Sequence, residues 1–268
     1  MFLWIYDLPN WLLCVLLVAV SVGLCWAFLF MLRPVMIRWA REGGESSEER
    51  HNHMVDLVSA GAGLLYGLLL GLIAVATYTT YSDNQKIVDN EANALGGLYR
   101  DASSYPQPLR GQLQGDIKEY VHYVVNEAWP QQQRGEVPGG GVDRITAMYG
   151  LLSSYDPPST GKVALHNETL TQFSSFVEYH RQRLTAVSTS LPGALWWTLI
   201  LGALVNLLLI VTPTGIKLAS HVLFSGIFAS LIGVVIFLIA TMDNSFRGDF
   251  SIDPSSYEVI RDQLMNRF

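Results

Sequence analysis

The sequence predicts an all-α membrane protein: four transmembrane helices with an extramembrane helical bundle inserted between spans two and three. Three observations lead there. The 268-residue chain is 50% hydrophobic but only 15% charged, against about 25% charged in an ordinary soluble chain. Its 17 Lys/Arg and 23 Asp/Glu avoid four long apolar windows completely. The polar stretch between the second and third windows carries a helical apolar period, with no strand alternation and no internal repeat.

The windows are Trp11 to Leu32 with 22 residues, Leu57 to Tyr81 with 25, Ala194 to Thr212 with 19 and Val222 to Met242 with 21. About 20 residues at a rise of about 1.5 Å cross the hydrocarbon layer. Lipid offers the backbone no hydrogen-bond partners, so each window must be a helix. Core helices of a soluble protein rarely run this far without a charge. The first window reads as an uncleaved anchor. Asp7 is the only charge before it, no basic segment leads into it, and no A-x-A cleavage pattern follows.

Residues 82–190 hold nine basic and twelve acidic side chains. Ile87, Val88, Ala92, Leu95, Leu98 and Tyr99 continue the second span as an amphipathic helix leaving the bilayer. Leu109, Leu113, Ile117, Tyr120, Val121, Val124 and Val125 form the stripe of a packed helix. Pro106 and Pro108 precede it, and Pro130 is expected to end it. The run 131–142, with three glycines at 139 to 141, reads as a flexible loop. Ile145, Met148, Tyr149 and Leu152 mark a short helix closed by Asp156-Pro157-Pro158. Leu165, Thr169, Phe173, Phe176, Val177, His180, Leu184 and Val187 mark a longer one expected to run on into the third span. The chain thus divides into a first helix pair (1–81), a helical domain (82–190), a second helix pair (191–242) and a C-terminal tail (243–268).

Composition narrows the function. A formal net charge of −6 leaves no basic footprint for nucleic acid. Cys14 and Cys25, the two cysteines, lie about 16 Å apart on one helix, too far to bridge. The span cores lack Asp, Glu, Lys, Arg and His, and Asn206 is their single carboxamide. Proton-coupled transporters and voltage sensors mark their paths with such charges, so a channel with an apolar, backbone-lined pore fits better. His51-Asn52-His53, near Glu48, Glu49 and Asp56, has metal-binding residue types, although such residues at the start of a helix are more often solvated. Pro158 to Lys162 imitates a phosphate loop but has Asp156 where the first glycine belongs and no preceding strand. Asn167-Glu168-Thr169 fits a glycosylation acceptor by chance. No catalytic constellation is present, so neither enzyme activity nor a cofactor is expected.

Ser59, Gly63, Gly67 and Gly71 follow one another at four-residue spacing, a smooth stripe on which another helix can pack closely. The partner is either a helix of the same monomer or one of a second subunit. Rotated from that stripe, Tyr66, Leu70, Ile73, Thr77 and Thr80 are candidates for lining an axial pathway, where an apolar constriction flanked by hydroxyls gates by dewetting. Orientation follows from the short loops. Arg33, Arg38, Arg41, Arg50 and Lys217 outnumber Arg247, Arg261 and Arg267, which puts the N-terminus, the helical domain and the tail outside the cytoplasm.

Two groups of residues carry a family resemblance. Glu91-Ala92 with Leu95, Leu98, Tyr99 and Arg100 forms E-A-x-x-L-x-x-L-Y-R after the second span. Glu127-Ala128-Trp129-Pro130, Arg181-Gln182-Arg183-Leu184 and Leu191-Pro192 follow, and the fourth span ends in Asp243-Asn244-Ser245-Phe246-Arg247-Gly248-Asp249. Together, over roughly residues 54 to 260, these resemble the bestrophin-like domain family of bacterial membrane proteins. That family usually reads D-R-P-F-R-G-D in the last motif. Asn244-Ser245 here replaces the Arg-Pro pair, so a less rigid exit turn is expected. The resemblance implies a more distant likeness to bestrophins, homopentameric anion channels whose second helix lines the pore and whose termini and polar helices are cytosolic. The last point opposes the charge count. The bestrophin acidic calcium-binding run is absent, so no calcium site is carried over.

Among the motif residues, Glu91 is expected to pair with Arg181 or Arg183, and Asp243, Arg247 and Asp249 to cap the fourth span. The reading reached is a multi-pass protein of the cell membrane, the bacterial inner membrane by resemblance. It would be a homo-oligomeric ion channel with the second span near the axis and with lipid, ions and further copies of itself as partners. A membrane-anchored interaction or stress-sensing protein is the other reading. An oligomeric ring would favour the first; a monomer or dimer without an axial passage would favour the second.

Overall fold

A computed structural model describes residues 8–43 and 45–265, the side chains of 40–46 excepted. The side chain of Arg41, and Arg267, both counted for orientation, lie outside the described residues, as do residues 1–7. The order of elements is α1 (Asn10–Gly43), α2 (Glu45–Ala102), α3 (Leu109–Tyr123), a π-helical segment (Val124–Ala128), α4 (Trp129–Gln133), α5 (Gly141–Ser153), α6 (Thr160–Val187), α7 (Gly193–Ile210), α8 (Leu218–Asp243), α9 (Ser255–Ile260) and a second π segment (Arg261–Met265). No strand occurs among the described residues. Four helices, α1, α2, α7 and α8, are long and apolar enough to cross a membrane.

The chain forms two compact units, Met1–Thr79 with Ser190–Asp243, and Thr80–Thr189 with Asn244–Phe268. In the first, α1 and α8 run antiparallel. The Trp26 indole N–H donates to Val222 O (3.2 Å) and the Arg33 guanidinium to Ile216 O (3.1 Å). Gly233 permits the contact, because a Cβ there would stand 2.9 Å from the Val18 Cα. The apolar part of α2 lies antiparallel along α7. The Tyr66 hydroxyl donates to Leu199 O (2.9 Å), and its ring lies where a Cβ on Gly202 would be, 2.5 Å away. At the far end of this pair, Asn52 accepts from Thr214 N (2.9 Å) and donates to Thr214 O (3.1 Å), and His51 Nε2 lies 3.4 Å from Thr212 O. His51 and Asn52 therefore hold the connection between α7 and α8.

The second unit is a helical bundle around Val88, Leu95, Leu98, Ile117, Tyr120, Val124, Trp129, Phe176, Phe246 and Tyr257. Several expectations need correction. Pro130 does not end its helix. Lacking an N–H, it interrupts the i→i−4 ladder, and the chain widens into the π segment, with Trp129 N–H bonding to Val124 O, before continuing through α4. The α6 helix does not run into α7. It stops at Val187, and Pro192, which cannot continue a helix, stands just ahead of Gly193. The glycine run is packed as well as turned: Cβ atoms on Gly140 and Gly141 would meet the Tyr123 ring at 2.9 Å and the His180 ring at 2.8 Å. The exit turn after α8 is held without proline. Ser245 O accepts from Ile252 N (2.8 Å), Asn244 O accepts from Arg247 N (3.2 Å), and the Ser245 hydroxyl accepts from Asn84 Nδ2 (2.9 Å).

Candidate functional site

Two places concentrate the residues singled out above: the faces of α2 in the first unit and a buried polar cluster in the second. In the first, Tyr66, Leu70, Ile73 and Thr77 are buried. Tyr66, Leu70 and Ile73 pack in one core with Leu199, Ala203 and Leu207 of α7, and Thr77 bonds within its own helix to Ile73 O (2.8 Å). These four are therefore buried in the chain and do not line an open pathway, and Tyr66, Leu70 and Ile73 hold α2 against its neighbours. Thr80 is exposed. At about 100° per residue, Leu57, Leu64, Leu68 and Val75 fall on the opposite face, and all four are exposed.

The small-residue stripe splits in two. Ser59 is half-buried, and a Cβ on Gly63 would lie 3.7 Å from Asn206 Oδ1. Gly67 and Gly71 meet nothing within 4 Å. The first half packs within the chain, and beside the second half no described atom comes within 4 Å of where a Cβ would stand.

In the second unit, Glu91 on α2 and Arg183 on α6 form a buried ion pair. Arg183 Nε donates to Glu91 Oε2 (2.6 Å) and Nη2 to Oε1 (3.1 Å), and the Tyr120 hydroxyl on α3 donates to Oε1 (2.7 Å). His180 Nδ1 lies 2.7 Å from the same hydroxyl. A carboxylate is the stronger acceptor, so the Tyr120 proton goes to Glu91 and the imidazole proton is assigned to Nδ1. Tyr257 on α9 closes the cluster, and the Arg183 guanidinium lies 5.9 Å from both the Tyr257 and Trp129 rings. Glu91, Tyr120 and Tyr257 are 0% exposed, and Arg183 1%.

Burial on its own would raise the Glu91 carboxyl. The Arg183 guanidinium and the contact with His180 outweigh it and lower the group from 4.5 to about 2. Burial together with the Glu91 charge pushes the Tyr120 phenol well above its ordinary value, and burial raises Tyr257 likewise. The cluster is thus one carboxylate, one guanidinium and two neutral phenols, sealed from solvent. Its chemistry is mechanical: it joins α2, α3, α6 and α9 at one charged point.

Of the two arginines open to Glu91, the pair forms with Arg183. Arg181 lines an open cleft with Asn84, Ile87, Glu178 and Gln182. Asp243 ends α8 by accepting from Leu191 N and from the Trp196 indole (3.2 Å). It thereby holds the start of α7. Phe246 is fully buried 5.8 Å from the Trp129 ring. The motif residues at the α2 exit and on α6 thus meet as the Glu91–Arg183 pair, and the family model for the Bestrophin-like domain matches residues 26–257. The chain belongs to the Bestrophin-like domain family. No curated protein and no solved structure matches it.

Tyr99 is buried beside Lys118, whose ammonium lies 5.6 Å from the ring. Arg100 sits in the last turn of α2, where its charge suits the helix dipole. Arg247 packs against Gly135, a left-handed residue with φ +79° whose missing side chain makes room for it. Asp249 is exposed. Three members of the cluster, Tyr120, His180 and Tyr257, were not read from the sequence as site residues. The available signal was that Tyr120 and His180 are polar residues lying in register on otherwise apolar stripes.

Proposed function

We propose that this Bestrophin-like domain protein is a homo-oligomeric ion channel of the cell membrane, with α2 nearest the axis. The observation that carries the reading is the two-sidedness of α2. One face is packed on α7. The opposite face, Leu57, Leu64, Leu68 and Val75, is uncharged and meets no other part of the described chain closely enough to be buried. A ring of copies would line an axis with that apolar face, and such a constriction gates by dewetting. The absence of Asp, Glu, Lys, Arg and His from the windows 11–32, 57–81, 194–212 and 222–242 favours passive conduction over coupled transport. The test is ion flux from liposomes containing the purified protein. Anion or cation efflux above protein-free vesicles supports the channel; impermeability to both under several pH and voltage conditions overturns it.

A further inference from the structure

We infer that the cleft between α2 and α6 binds the headgroup of a membrane phospholipid that carries both a phosphate and a primary ammonium. The cleft lies wholly within the second unit. Its volume of about 380 Å³ is in the range of small-molecule sites. Asn84 and Ile87 of α2 form one wall, and Glu178, Arg181, Gln182 and Thr185 of α6 form the other.

The place of the cleft along the chain matches the headgroup layer. Tyr81 ends the second apolar window, and Asp83, the first charge beyond it, is exposed and pairs with Lys86 (2.9 Å). Asn84 stands three residues past Tyr81, about 4.5 Å farther along the axis at about 1.5 Å per residue. The headgroup layer starts where hydrocarbon ends and is about 5–7 Å deep on each side. At its other end the cleft reaches Thr189, five residues before the third window opens at Ala194. Both walls therefore flank points at which the chain enters hydrocarbon, the level at which lipid phosphates lie.

The charges select the headgroup. Glu178 and Arg181 are exposed and one turn apart on α6. Among the described residues no carboxylate pairs with the Arg181 guanidinium. Glu178 instead accepts from Gln182 Nε2 (2.8 Å). A guanidinium is the side chain best shaped to grip a phosphate. Asn84, 7% exposed, donates one Nδ2 proton to the Ser245 hydroxyl (2.9 Å) and keeps a second for an incoming oxygen. The Thr185 hydroxyl is no donor to a ligand, because it already donates to Arg181 O (3.0 Å). One cation beside one carboxylate leaves the cleft without net charge, so a purely anionic headgroup would meet Glu178 unfavourably. An ammonium joined to its phosphate by two carbons satisfies both groups, since side chains three apart on a helix stand about 5–6 Å from each other. A choline headgroup has no N–H to give to Glu178.

The test is native mass spectrometry of the full-length protein, delipidated in detergent and then given phosphatidylethanolamine, phosphatidylglycerol or phosphatidylcholine with the same acyl chains. One phosphatidylethanolamine per chain should survive release from detergent, with the other two lipids retained about tenfold less, as when one charged hydrogen bond is missing. Arg181→Gln should lower phosphatidylethanolamine retention by about tenfold or more. Glu178→Gln should shift the preference to phosphatidylglycerol. Both residues are exposed, so both variants should melt as the parent does. Lys86→Gln, near the same depth but outside the cleft, should change neither affinity nor preference. Equal retention of the three lipids, unchanged retention by Arg181→Gln, or an equal loss in Lys86→Gln would overturn the inference. Soluble phosphoethanolamine at the lipid's concentration should not displace the lipid; displacement would mean that the site takes a free phosphate ester, and would overturn the lipid assignment. None of these outcomes bears on conduction, so the channel reading stands or falls separately.

Discussion

Replacing Glu91 by glutamine preserves the size of the side chain and removes its charge, leaving Arg183 buried without a counter-ion. Three hydrogen bonds converge on the carboxylate: two from Arg183, at 2.6 and 3.1 Å, and one from Tyr120 at 2.7 Å. Removing one partner of a buried pair costs about 3–5 kcal/mol, mostly from the charge left behind. The lowering of the Glu91 carboxyl from 4.5 to about 2 points to a similar size, about 3 kcal/mol at about 1.36 kcal/mol per unit. The assay is denaturant unfolding of the full chain in detergent, followed by tryptophan fluorescence, since the Trp129 ring lies 5.9 Å from the Arg183 guanidinium. Glu91→Gln and Arg183→Met should each destabilise by about 3 kcal/mol or more. The double variant should lose less than the sum by about 2 kcal/mol, because neither charge is then stranded. A Glu91→Gln shift below about 1 kcal/mol, as for an exposed pair, or strict additivity in the cycle, would refute the reasoning.

Acid should weaken the same unit. The folded-state Glu91 value lies below the unfolded one, so the unfolded chain takes up the proton first. Its contribution is complete above about pH 4.5 and is lost as pH falls from there towards about 2; Glu91→Gln should flatten that part of a stability–pH profile. Gly140→Ala and Gly141→Ala, whose Cβ atoms would stand 2.9 Å from Tyr123 and 2.8 Å from His180, should each cost about 1–3 kcal/mol by overpacking. Gly139→Ala, with nothing within 4 Å, should be near neutral in the same thermal melts. Asp243→Asn replaces one acceptor oxygen by a donor facing either Leu191 N or the Trp196 indole. A loss of about 1.5–3 kcal/mol is expected by calorimetry, with a change in the near-ultraviolet dichroism of tryptophan.

The four spans were legible because charge is excluded from hydrocarbon, and that exclusion shows in sequence without any knowledge of packing. Which face of α2 packs was not legible. Lipid and protein core are equally apolar, so Tyr66 and Leu68 look alike in composition, and the face given to the pathway proved to be the packed one. The choice between Arg181 and Arg183 did carry a signal. Arg183 lies three residues after His180 and seven after Phe176, on the apolar stripe of α6, whereas Arg181 falls off it. The π segment before Pro130 and the break between α6 and α7 depend on where individual backbone bonds find partners. Such choices follow tertiary contacts like Asp243 with Leu191 more than local residue type.

Conduction through a ring is the central claim, and imaging the detergent-purified particle tests it most directly. The expected image is a symmetric closed ring with α2 innermost and Leu64, Leu68 and Val75 facing the axis. A monomer, a dimer without an axial passage, or a ring with another helix innermost would contradict it.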